Sequence, residues 1–138
     1  MFATKPSTYF ATAFTLLLIM VWSPSHAETP YTVTNGNELD IQSYQGYKVF
    51  RNWCARCHGT YGQGMRAPNL AESIATISKA EYLKVMASGK VSAKAKEMGR
   101  MPGWKGNAQV MDNLDNIYSY LKARADGKID AVAPQSAK

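Results

Sequence analysis

Cys54-Ala55-Arg56-Cys57-His58 is the stretch that decides how this chain is read. It uses both cysteines of the 138-residue sequence and one of its two histidines. Two thiols separated by two residues, with a histidine directly after, form the attachment signature of c-type haem. The chemistry accounts for each position. The thiols add to the two vinyl groups of one porphyrin as thioethers, and the histidine falls beneath the iron as its proximal ligand.

Other uses of C-x-x-C fit less well. A structural zinc site needs four nitrogen or sulfur ligands, and the inventory here stops at Cys54, Cys57 and His58 once His26 leaves with the leader. A thioredoxin-like redox pair needs a preceding strand and a βαβ frame, whereas the residues before Cys54 have helical spacing. A plain structural disulfide remains formally open. The haem reading is preferred over all three, because the leader implies export to an oxidising compartment.

That leader is residues 1–27. Lys5 supplies a positive start, Phe10 to Trp22 an apolar stretch, and Ser25-His26-Ala27 small residues around a cleavage point before Glu28. The apolar core is shorter than the roughly 20 residues of a spanning helix, so cleavage, a periplasmic location and no stable membrane span are expected. Removing 27 of 138 residues leaves 111, enough for one small domain. Lys5 leaves too, so 16 basic residues become 15 against 10 acidic, a formal +5. Lys90, Lys94, Lys96 and Arg100, with Lys105 beyond, concentrate that charge. The run reads either as a solvated loop or as a docking face for an acidic redox partner. Nucleic-acid binding is not expected of an exported chain without a recognition motif.

Along the mature chain, residues 28–38 read as a polar extension. Leu39 to Trp53 carries Ile41, Tyr44, Tyr47, Phe50 and Trp53 at near-helical spacing and delivers the cysteines. Gly59 to Asn69, with Gly62, Gly64 and Pro68, reads as an irregular loop. Asn69 is a candidate N-cap for a helix over 70–77, and Ser78 with Glu81 opens a helix from Lys79 to about Ser88 that Gly89 ends. Residues 90–106 read as a loop. Asn107 caps one long helix with Val110, Leu114, Ile117, Tyr118 and Leu121 on its inner face, closed near Gly127. Strand signals are negligible, and 128–138 reads as a flexible tail.

A sixth iron ligand must come from Met65, Met86, Met98, Met101 or Met111, or the position is open. Most methionines merely fill cores. Met101 precedes Pro102, which favours extended backbone able to aim a thioether inward. It lies 43 residues after His58, ample chain to round a porphyrin edge. Met101 is the choice, and Met98 in the same loop is the alternative.

Together these residues resemble the class I cytochrome c family over Leu39 to Gly127: a helix ending in C-x-x-C-H, a proline-bearing loop, a Met-Pro loop and a C-terminal amphipathic helix. The resemblance implies an all-α cytochrome c domain over 39–127, wrapped around one covalent haem c. Its N- and C-terminal helices would cross with Gly46 and Phe50 facing Leu114, Ile117, Tyr118 and Leu121. It also implies that the Pro68 carbonyl accepts a hydrogen bond from His58. Asn107 to Gly127 is further similar to small cytochromes of methanol metabolism, which accept electrons from alcohol dehydrogenases carrying pyrroloquinoline quinone (PQQ). The expected function is therefore a soluble, monomeric one-electron carrier with His58 and Met101 on the iron and no enzymatic activity. Such a PQQ dehydrogenase would be the donor, and a terminal oxidase or another cytochrome the acceptor. The competing expectations are a haem-based gas sensor with an open distal site and a cytochrome subunit permanently docked to a dehydrogenase.

Overall fold

The computed structural model describes Met1, residues 29–91 and residues 99–138. The leader reading, Met98, Lys94 and Lys96 fall outside the described residues. Among those described, no helix is long and apolar enough to cross a membrane.

Helix α1 (Ile41–Trp53) is the first large element. Asp40 caps it, its carboxylate accepting from the Ser43 amide at 2.9 Å and the Ser43 hydroxyl at 2.8 Å, and also from the Thr32 amide at 2.7 Å. Burial pushes the Asp40 carboxyl up, but these donors outweigh it and the net shift is downward from 3.8. Its contribution to stability is therefore present above the unfolded carboxylate range and is lost as pH falls through the depressed folded value. Asp40→Ala should lower stability by about 1 kcal/mol, the usual worth of a cap. Thermal melts at neutral pH and near pH 3 check this, since the gap between variant and wild type should narrow in acid.

Short helix α2 (Ala55–His58) follows, then α3 (Leu70–Thr76) and α4 (Lys79–Ser88). The local signals act as read: Asn69 accepts from the Ala71 amide, Ser78 from the Glu81 amide, and Gly89 ends α4. The C-terminal helix differs from expectation by being two pieces, α5 (Ala108–Met111) and α6 (Leu114–Ala125). The break is at Asp112-Asn113. The Asn113 side chain donates to the Gln109 carbonyl and accepts from Asn116, competing with the regular helical ladder.

Helices α1 and α6 pack where Gly46 meets the backbone of Asn116 and Ile117. A β-carbon on Gly46 would lie 1.9 Å from the Asn116 carbonyl oxygen. Phe50 and Ile117 are fully buried there, as the resemblance implies, but the central aromatic of α6 is Tyr120. Its ring lies 5.4 Å from Phe50 and 5.2 Å from Tyr47. Tyr118 instead turns to Tyr82 of α4, 5.1 Å away, with the Lys79 ammonium over its ring. Tyr82 ties α4 to α6 through a hydroxyl donated to the Leu114 carbonyl at 3.0 Å.

Two expectations are corrected, one on strands and one on the tail. The structure contains short strands: β1 (Val33–Thr34), β2 (Glu38–Leu39), β3 (Lys90–Val91), β4 (Arg100–Met101) and β5 (Gln135–Ser136). Asn35 and Gly36, at φ 51° and 76°, turn β1 back on β2, a use of Asn-Gly that hairpins favour. The tail is held rather than frayed. Its strand β5 pairs in parallel with β2, Ile129 is buried, and Arg124 donates to the Ile129 carbonyl at 2.8 Å. The extension is pinned as well, by the Tyr31 hydroxyl donating to Asp126 at 2.7 Å.

Candidate haem-binding site

The cysteines leave α1 at its C-terminal end. Cys54 closes α1 by donating its amide to the Phe50 carbonyl at 2.8 Å, and its own carbonyl accepts from Cys57 and His58. This single turn folds Cys57 and His58 back on Cys54 at a tight helical corner. Both thiols are unbridged, Cys54 buried and Cys57 exposed. Burial, with a smaller contribution from Cys57, pushes the Cys54 thiol up to about 12. A buried thiol shifted in this direction is the opposite of the low-pKa thiolate that a redox-active C-x-x-C pair needs. Among the described residues, no group of three or more His, Cys, Asp or Glu side chains is placed to hold a metal ion.

His58 is buried at 8% exposure, and its Nδ1 lies 2.9 Å from the Pro68 carbonyl oxygen. A carbonyl can only accept, so the proton is on Nδ1 and the Nε2 lone pair is left free. Burial lowers the His58 pKa, with the Pro68 bond opposing it, so the neutral ring is favoured. A neutral, oriented imidazole next to two unbridged thiols is the donor set that covalent haem requires.

The loop behind His58 is fastened at several points. Arg66 and Ala67 amides donate to the Cys57 carbonyl at 3.0 and 2.9 Å, and the Leu70 amide donates to Gly62 at 2.7 Å. From α6, the Tyr120 hydroxyl and Arg124 Nε both donate to the Tyr61 carbonyl, at 3.2 and 3.0 Å. From sequence alone, Arg124 is only a cation near a helix C-terminus, where it suits the negative end of the dipole. The missed signal is its place one turn after Tyr120, on the side of α6 facing this loop.

Cys54, Cys57, His58 and Pro68 are thus brought together. Met101 lies on β4, half-buried against the same core that contains Cys54. Its segment reaches the cysteine motif through Trp104, whose ring meets Trp53 edge-on at 5.7 Å. Of the other methionines, Met86 is buried in α4 and Met65 is exposed. Lys90, Arg100 and Lys105 are exposed around the Met101 segment, with Lys90 at 3.9 Å from Glu81.

Residues 42–121 match the family described as cytochrome c oxidase, cbb3-type, subunit III. The chain belongs to the cytochrome c family. It is 33% identical over 95 residues to cytochrome c-555 of Methylococcus capsulatus (strain ATCC 33009 / NCIMB 11132 / Bath), an alignment covering 67% of this chain and 71% of that protein. It is 30% identical over 114 residues to cytochrome c-553I of Paracoccus denitrificans, covering 82% of this chain but only 50% of that longer protein. Among solved structures it is similar to the c-type cytochrome XoxG from Methylobacterium extorquens AM1. The TM-score is 0.70 at 32% identity, over 78% of this chain and 67% of that one. The mostly helical fold is that of a cytochrome c, the cofactor is covalent haem c, and the protein is an electron carrier.

Proposed function

We propose that this cytochrome is a periplasmic, monomeric electron shuttle with His58 and Met101 as its axial ligands, fed by a PQQ-dependent alcohol dehydrogenase. The observation that carries the ligand reading is the His58–Pro68 hydrogen bond, which presents one free imidazole nitrogen of fixed direction. Haem c supplies a one-electron couple between ferric and ferrous iron. Cys54 and Cys57 would hold it as thioethers. Pro68 raises the donor strength of His58 by accepting from its Nδ1. Met101 would offer a thioether, a ligand that favours reduced iron and raises the potential. The donor reading rests on the likeness of Asn107 to Gly127 to the small cytochromes of methanol metabolism. A terminal oxidase or a second cytochrome would take the electron onward.

Mixing the oxidised holoprotein with a reduced PQQ alcohol dehydrogenase should reduce the haem, at a rate that falls as salt rises. The exposed Arg100 and Lys105 stand near the Met101 segment, and screening confines such fields to about 8 Å at physiological strength. Changing both to glutamate should slow association with an acidic partner about tenfold and leave the potential nearly unchanged. Salt-insensitive rates, equal in variant and wild type, would return these cations to the role of a solvated loop. No reduction by any such dehydrogenase would remove the proposed donor.

A further inference from the structure

The segment following the proposed sixth ligand is locked onto the end of α4 by two glycines that leave no space between them. Gly89 ends α4 at φ 77°. A β-carbon there would lie 2.4 Å from the Met101 carbonyl oxygen, 2.7 Å from the Gly103 nitrogen and 2.8 Å from the Pro102 carbonyl carbon. The fit is reciprocal. A β-carbon on Gly103 would lie 2.7 Å from the Ala87 carbonyl oxygen and 2.8 Å from the Ser88 carbonyl carbon. All these neighbours are backbone, so no side chain can rotate away to make room.

Hydrogen bonds close the lock on both sides. Before it, Lys90 pairs with Met101 and Val91 with Arg100 in the antiparallel β3–β4 ladder. After it, the Trp104 amide donates to the Met86 carbonyl at 2.8 Å. Met101 and Pro102 therefore bridge two fixed points, Met86 in α4 and Lys90 in β3 just past its end, four residues apart in the chain on one side (Met86 to Lys90) and three on the other (Met101 to Trp104). Proline removes one backbone freedom in the middle. The frame behind is tied down too, because Tyr82 couples α4 to the first turn of α6.

We propose that Gly89 and Gly103 are positioning residues for the sixth ligand: their interlock sets the backbone of Met101 so that its thioether stays on the iron. The inference rests on the Met101 assignment above and adds what holds that side chain in place. A thioether is a weak, neutral ligand, and small molecules that bind haem iron can enter only while it is detached. Their apparent binding rate therefore scales with the population of the open state. Loosening the lock raises that population without touching Cys54, Cys57 or His58.

The test is Gly103→Ala in the holoprotein, with Gly106→Ala as the control because a β-carbon at Gly106 meets nothing within 4 Å. Carbon monoxide binding to the ferrous protein should be about tenfold faster in Gly103→Ala. The ferric charge-transfer band of thioether ligation should weaken, while both thioether crosslinks persist and Gly106→Ala matches wild type. A Gly103→Ala protein that melts earlier yet keeps the wild-type band and carbon monoxide rate would overturn the proposal, leaving the glycines as packing only. Hydrogen exchange of the wild-type holoprotein supplies a measurement independent of any variant's folding. The Trp104 amide should be protected as strongly as the amides of α6, and loop-like exchange there would also overturn it. Met101→Ala separates the two readings. If that variant retains the thioether band, the ligand assignment fails, whatever Gly103→Ala shows.

Discussion

Met101→Ala should abolish thioether ligation and lower the reduction potential, with the haem still attached. Axial ligands are among the strongest controls a protein has over haem potential, spanning about 0.8 V across ligand types. A thioether favours ferrous iron, so its loss stabilises the ferric state and the potential falls. With His26 removed along with the expected leader, no second histidine would be present to take the vacated place. The ferric protein should therefore lose its long-wavelength charge-transfer band and bind added imidazole readily. Met98→Ala should leave the band and potential near wild type. If Met98→Ala removes the band and Met101→Ala keeps it, the ligand is Met98 and the Met-Pro argument is wrong.

The haem motif was readable from the sequence because covalent attachment fixes residue types as well as their spacing. Helix α4 was readable for a local reason: Ser78, Glu81 and Gly89 act within a few residues of the ends they define. The same held for Asn69 at the start of α3. What escaped was non-local. Strand β5 has two residues, too few to show any period, and its partner Glu38–Leu39 lies 97 positions earlier. No pattern within 128–138 distinguishes such a strand from a frayed tail. The Asn-Gly turn at 35–36 did carry a signal, but its flanking strands are as short, so hydrophobic alternation could not support it.

Side-chain direction was also only partly legible. Tyr118 and Tyr120 both suit a buried helix face, and the α1 crossing decides between them by seating Tyr120 against Phe50 and Tyr47. Arg124 illustrates the same limit. Its charge favours a helix C-terminus, yet its nitrogens are used to hold the carbonyls of Tyr61 and Ile129. Through Tyr61 it steadies the loop that carries Pro68, so α6 supports the proximal side while it packs against α1.

Gly46→Ala should therefore be the most destabilising single substitution outside the haem motif, because it acts on that shared crossing. The added β-carbon would lie 1.9 Å from the Asn116 carbonyl oxygen, 2.2 Å from its carbonyl carbon and 2.7 Å from the Ile117 nitrogen. These are main-chain atoms of α6, so relief requires the two helices to move apart. Alanine's better helix propensity returns at most about 1 kcal/mol. Separation would unpack Phe50, Tyr120 and Ile117 together, and overpacking alone typically costs 1–3 kcal/mol. A net loss of about 3 kcal/mol is expected, large against the total stability of a small domain. Because α6 also holds the loop behind His58, the loss should extend to the haem site as weaker retention of the low-spin spectrum on heating. Denaturant melts of the holoprotein, followed by helix content and by haem absorbance, check both parts. The two transitions should shift together. A Gly46→Ala protein within about 0.5 kcal/mol of wild type, the range of an ordinary surface change, would show that the helices are not in fixed contact at this glycine.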